Sequence, residues 1–204
     1  MPVTLNASTS SGLIATSDTS GDVAIQSNGT TIGTFSSAGL TMASGKKAIY
    51  TGAVLQVLQA AKTDTFSVTG QTWTDITGLS VSITPTSATS KILVFYSLAT
   101  SYNTSGSSGG VRLIRNSTAI YLGDAAGSRN QASNWGQLQF TWEVENMSNS
   151  FLDSPATTSA TTYKLQLISG YAGQTVYVGR SYGDTDGADQ ARTASSITVM
   201  EIAA

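Results

Sequence analysis

The chain has 204 residues, of which 11% are charged and 40% hydrophobic, with a formal net charge of −2 and neither cysteine nor histidine. This composition excludes disulfide stapling, zinc sites built on Cys and His, and Ser-His-Asp or Cys-His catalysis. Only Lys46-Lys47 and Arg112/Arg115 bring basic residues close together, too few to hold nucleic acid, and the longest apolar run, Ile92 to Tyr96, is too short for membrane insertion.

The amino-terminal stretch "MPVTLNASTSSG" has neither the basic start nor the apolar run of a secretory signal. Residues 1–48 then hold four glycine-punctuated segments, "LIATSDTS", "DVAIQSN", "TTIGTFSSA" and "LTMAS", with no Trp or Tyr. Their Ser, Thr and Gly content also fits disorder. The β-branched pairs and Asn28-Gly29, a dipeptide that accepts the positive φ of a hairpin turn, favour thin β-structure. Its sizeable apolar side chains are Val23, Ile25, Ile32 and Phe35. A lone ribbon with so little to bury is marginal in water, so these residues predict a partner.

Residues 49–204 carry all three Trp and all eight Tyr. "AVLQVLQAAKTDTF" (53–66) fits a short amphipathic helix or a strand, and the otherwise all-β chain favours the strand. "TWTDITGLSVSITP" alternates and ends at Pro85. "KILVFYSLAT" reads as a central strand covered on both faces, and "SYNTSGSSGG" (101–110) as a flexible exposed loop. "GVRLIRNSTAIYLGD" is a second hairpin turning at Asn116-Ser117-Thr118. "QLQFTWEVENM" alternates strictly, which predicts Leu138, Phe140, Trp142 and Val144 on one strand face and Glu143 and Glu145 on the other. "TTYKLQLISG", "QTVYVGRSY" and "SSITVMEI" complete an all-β domain, a sandwich or a barrel.

Four of these stretches, "LQVLQAAKTDTFSVTGQTWTDITGLSVSITPTSATSKILV", "RLIRNSTAIYLGDAAGSR", "FLDSPATTSATTYKLQL" and "RTASSITVMEIAA", resemble in order a family of tailed-bacteriophage virion proteins, the tail-fibre or fibre-like structural proteins. Residues 12–48 are similar to the shaft or attachment segments that precede such heads. The resemblance implies a β-jelly-roll head at 49–204, an attachment or shaft segment at 1–48, and a homotrimer in the virion. It supplies no catalytic residues and no receptor site. On this reading the head contacts host surface glycan, other virion proteins hold the amino-terminal segment, and Val23, Ile25, Ile32 and Phe35 bury one another between three chains. A capsid decoration protein without a receptor is the alternative. A polysaccharide depolymerase is disfavoured by the short chain and its 12 acidic residues.

Exposed aromatic rings bind sugars cheaply, and Tyr102, Trp135 and Tyr182 sit in loop-like sequence. Trp73 alternates within a strand and reads as core. For Trp135, packing within or between subunits competes with ligand contact. Asp184, Asp186 and Asp189 in "GDTDGAD" are weak metal candidates, because the distal glutamate of a calcium loop is missing and Asp and Gly are ordinary loop residues. Glu143 and Glu145 at i, i+2 lie roughly 6–7 Å apart on a strand, within glycosidase range. One strand face is not a cleft, so they read as polar surface or a subunit contact. Arg129 and Arg192 are candidates for ion pairs across chains. No cofactor is predicted.

Overall fold

The computed structural model describes residues 22–46, 48–138, 140 and 142–204. Among the described residues there are strands and no helix, and the chain divides between Ile49 and Tyr50 into two units. The segment "LIATSDTS" lies outside the described residues.

The amino-terminal unit is an antiparallel meander of β1 (Val23–Ser27), β2 (Thr30–Ser36) and β3 (Gly39–Met42). Ser27 pairs with Thr30 around Asn28 and Gly29, whose φ angles of 50° and 74° are those of a type I′ turn. Val23 lies opposite Phe35, and Phe35 opposite Leu40. Side chains alternate across a sheet, so this register puts the three on one face, where they are 43%, 47% and 47% exposed. Ile25 shares that face through its pairing with Gly33. Ile32, half-buried, sits at the register shift where β1 steps from Ile25 to Gln26 and has no paired residue in β1.

In the carboxy-terminal unit three pairs of strands lie end to end. They are β4 (Val54–Lys62) with β5 (Phe66–Thr69), β9 (Thr118–Ile120) with β10 (Asn134–Gln137), and β13 (Thr175–Val178) with β14 (Ser195–Ile202). Taken as single strands beside β6 (Thr74–Ile83), β7 (Lys91–Tyr102), β8 (Ser108–Arg115), β11 (Glu145–Asp153) and β12 (Thr161–Ser169), they make eight positions. The first sheet then runs 1-8-3-6 and the second 2-7-4-5. First pairs with eighth, second with seventh, third with sixth and fourth with fifth: a long antiparallel hairpin rolled into two sheets. That order is a jelly roll.

Residues 54–62 are strand, paired along their length with β14. "KILVFYSLAT" is central in its sheet, but its first half is covered on one face only. Ile92, Val94, Tyr96 and Leu98 are at most 4% exposed, while Phe95 between them is 40% exposed. The predicted loop 101–110 is shorter than expected, because Ser101 and Tyr102 belong to β7 and Ser108–Gly110 to β8. The described residues among 138–144 do not belong to a strand. Leu138 is buried, but Phe140 and Trp142 are 50% and 62% exposed and stack with centroids 4.9 Å apart. The strand is instead the Asn- and Ser-rich segment 145–153, in register with β7.

One hydrophobic core fills the space between the sheets, drawn from alternate residues of both, including Leu79, Ile92, Val94, Leu113, Leu165 and Val199. Two polar clusters are built into its edge. Asp153 of β11, 6% exposed, takes both oxygens to Arg115 Nη1 at 2.9 and 3.0 Å and accepts from the Tyr163 hydroxyl at 2.6 Å. Arg115 and Tyr163 stand on the other sheet, so the cluster ties the sheets together. Glu201 of β14, fully buried, accepts from Gln56 Nε2 at 2.6 Å and from Thr86 N and Oγ1 at 2.7 Å, pinning the β6–β7 connection.

Burial alone would raise the Glu201 pKa, but the hydrogen bonds from Gln56 and Thr86 outweigh it and hold the carboxyl below its ordinary 4.5. A depressed folded pKa stabilises above the unfolded value and is lost as pH falls through the folded one. The urea midpoint is therefore expected to drop below pH 4.5, and less steeply in Glu201→Gln. Arg115→Met leaves a buried carboxylate without its cation and is expected to cost about 3 kcal/mol in urea unfolding.

Candidate functional site

Trp135 lies on β10, directly opposite Gly110 of β8. The indole rests flat against the second sheet because glycines make room for it. A Cβ on Gly110 would come within 2.7 Å of Trp135 Cζ3, and one on Gly170 within 3.0 Å of Cζ2. The neighbouring Gly109 admits the Tyr102 ring in the same way, with a Cβ there only 3.0 Å from Cε1. Glycine within a strand marks such close approaches. Within β8, Gly109 and Gly110 thus accommodate two aromatic rings.

The indole remains 40% exposed and floors an open basin of about 400 Å³ rimmed by Ser128, Arg129 and Asn130. The rim belongs to the β9–β10 connection, which folds back on itself. Gly123 N donates to Ala132 O at 3.2 Å, Gln131 Nε2 to Gly123 O at 2.8 Å, and Arg129 Nη1 to Ala126 O at 3.3 Å. Ser133 then locks the connection to β8 by donating from N to Val111 O and accepting from Leu113 N at its Oγ. An apolar ring face beside a guanidinium, an amide and a hydroxyl matches a sugar ring, which is apolar on its C–H face and polar at its edges.

The other predicted contacts fall elsewhere. Tyr102 is 1% exposed, with its hydroxyl donating to Gly136 O at 3.4 Å, so it is core and cannot touch a ligand. Tyr182 is 39% exposed but stands on the first sheet's β13–β14 connection, tilted against Tyr177. Trp73 is not core: it lies half-buried before β6 under the Arg112 guanidinium, 4.5 Å from the ring centroid. Arg112 Nε donates to Gln166, Gln166 Nε2 to Asp75, and Lys164 to the second oxygen of Asp75. Arg112, Gln166, Asp75 and Lys164 thus form a linked polar network on the second sheet, with Trp73 under its Arg112 end.

The aspartates of 184–189 do not gather. Asp184 gives one oxygen to Arg180 at 2.8 Å and the other to Arg192 at 2.7 Å, so Arg192 pairs within its own chain. Asp189 accepts from Gln190. Among the described residues no three acidic side chains come together as metal ligands. Nor do Glu143 and Glu145 share a strand face. Glu143 accepts from Phe140 N in the β10–β11 connection, while Glu145 opens β11 with Oε2 buried. Burial, reinforced by Glu143, raises the Glu145 pKa.

The exposed Phe140–Trp142 pair escapes sequence reasoning because strict alternation is itself the strand signal. Its place in a connection depends on β11 taking the ladder position beside β7.

Strand order and core make residues 50–204 a jelly-roll β-sandwich. No protein-family model matches the chain, and no curated protein matches it. Among solved structures, a chain described as "The 2.6A structure of Infectious Bursal Virus Derived T=1 Particles" aligns at a TM-score of 0.38 and 14% identity, over 88% of this chain and 41% of that one. This chain therefore spans less than half the length of that one.

Gly110→Ala is expected to cost about 1–3 kcal/mol, because the new methyl must displace the indole, and to red-shift the tryptophan emission as Trp135 lifts into water. Denaturant titration followed by intrinsic fluorescence checks both.

Proposed function

We propose that this chain is a non-enzymatic structural protein of a tailed-bacteriophage virion, a tail or head fibre, whose jelly roll contacts host surface glycan through many weak copies. The observation that carries this reading is the Trp135 basin, an aromatic floor with hydrogen-bonding groups along one side. One such shallow site binds weakly. Repetition on a particle converts weak sites into avidity, and a homotrimer is the first level of that repetition. The amino-terminal unit serves attachment: its open row of Val23, Phe35 and Leu40 is apolar surface that other virion proteins or other copies would cover. The same row favours a second reading, a decoration protein that binds only its neighbours on the particle.

The test is binding of the full chain to immobilised bacterial lipopolysaccharides and capsular polysaccharides. Wild type is expected to bind a subset, and Trp135→Ala to weaken that binding about tenfold, ~1.4 kcal/mol, within the range of a lost aromatic contact. The circular-dichroism spectrum should stay unchanged. Wild-type chain that binds none of these glycans, yet binds the particle, gives the decoration reading.

A further inference from the structure

The outer face of the first sheet carries a complete apolar row. Leu152 of β11 pairs with Leu93 of β7, Leu93 with Met200 of β14, and Met200 with Val57 of β4. Leu93 and Met200 point away from the core, because their sequence neighbours Ile92, Val94, Val199 and Glu201 are buried inward, and the cross-strand partners Leu152 and Val57 share their face. Val57 and Leu152, at the two ends, are 52% and 53% exposed. On one side the row continues to the paired Val54 and Ile202, and on the other to Phe95, opposite Thr198 and Ser150. Beyond Phe95 a hollow of about 390 Å³ is lined by hydroxyls, among them Ser97, Ser148, Ser196 and Thr198.

We infer that this face packs against a second copy of the same chain, with Leu152, Leu93, Met200 and Val57 at the centre of the contact. The inference rests on the homotrimer proposed above and assigns the surface that forms it. Charge selects the occupant. Lys91 is the one charged residue among these outward positions, and its Nζ donates to Ser154 Oγ at 2.9 Å. Glu201 of β14 is buried inward. Around a threefold axis, a face so nearly neutral meets those of its two neighbours without like-charge repulsion, and it offers nothing to a charged partner. The molecule's other sheet face, with Arg112, Asp75 and Lys164, has the opposite character. Area agrees as well. Four strands at about 4.8 Å spacing and four outward positions along each span roughly 20 by 27 Å. That is about 500 Å² in plan and more in accessible surface, close to the ~800 Å² per partner of a standard stable interface. Ser and Thr hydroxyls around the row supply hydrogen bonds at its rim.

Light scattering on the full chain tests this, with Leu152→Arg and Val57→Arg as the variants. Both positions are half-exposed, so the monomer fold tolerates them. Wild type is expected at three chains, and each variant at one chain, a threefold fall in mass with an unchanged circular-dichroism spectrum. Trp142→Arg, at a still more exposed apolar site outside the face, should keep the wild-type mass. An oligomer that survives both first-sheet variants, or one that Trp142→Arg dissociates, overturns this assignment and leaves the homotrimer standing. A wild-type chain that stays monomeric at all concentrations overturns both. Leu152→Ser replaces any arginine variant that fails to fold, and is read by the same fall in mass.

Discussion

Everything in residues 50–204 depends on two sheets each burying one face against the other. With no cysteine in the chain, no disulfide shares that task. The rolled-hairpin order makes the burial collective: β7 and β14 are held in the ladder from both sides, and each contributes every second residue to one core. The sheets are also tied by charge. Asp153 reaches from β11 to Arg115 and Tyr163 on the opposite sheet, and a carboxylate so buried is tolerable only while both partners remain. Burial, and the hydrogen bond to Asp153, raise the Tyr163 pKa, so its hydroxyl stays a donor throughout the physiological range.

Once the inner faces are committed to each other, the outer faces are free to differ, and they do. The second sheet is polar outside, with Arg112, Gln166, Asp75 and Lys164 joined side by side and Trp73 lying under Arg112. Its strand glycines let Trp135 lie low enough to act as a floor. The first sheet is nearly uncharged outside and carries an apolar row from edge to edge. The chain has few charges to place, and it places them unevenly.

Much of the fold was legible in the sequence because the signals were local. Asn28-Gly29 and Asn116 mark turns through positive φ, and residues 74–83 and 161–169 alternate as half-buried strands do. What stayed hidden depends on partners far away in sequence. Residues 145–153 hold Asn149 and Asp153 at inward positions, where alternation calls for apolar side chains, and Tyr121, Arg115 and Tyr163 satisfy them. Residues 138–144 alternate perfectly in sequence, yet Leu138, Phe140 and Trp142 stand outside the strands. Tyr102 looked exposed because it precedes a glycine-rich stretch, yet those glycines are what allow its ring to be buried. Of the candidate site, Trp135 was legible as an aromatic in loop-like sequence. Its basin was not, since the rim comes from a connection that folds back by hydrogen bonds between residues of its own.

The placement of the two surfaces bears on how one chain could both assemble and bind. A site that works by repetition must stay open when copies come together. The Trp135 basin stands on the second sheet, and the apolar row on the outer side of the first, with the whole core between them. Copies packed through the first sheet would turn their second sheets outward, each with its indole facing solvent. Assembly through the second sheet would cover the basin and leave the apolar row in water. Opposite outer faces of one sandwich are thus suited to opposite tasks, and the rolled topology that separates them also fixes both on a single rigid core.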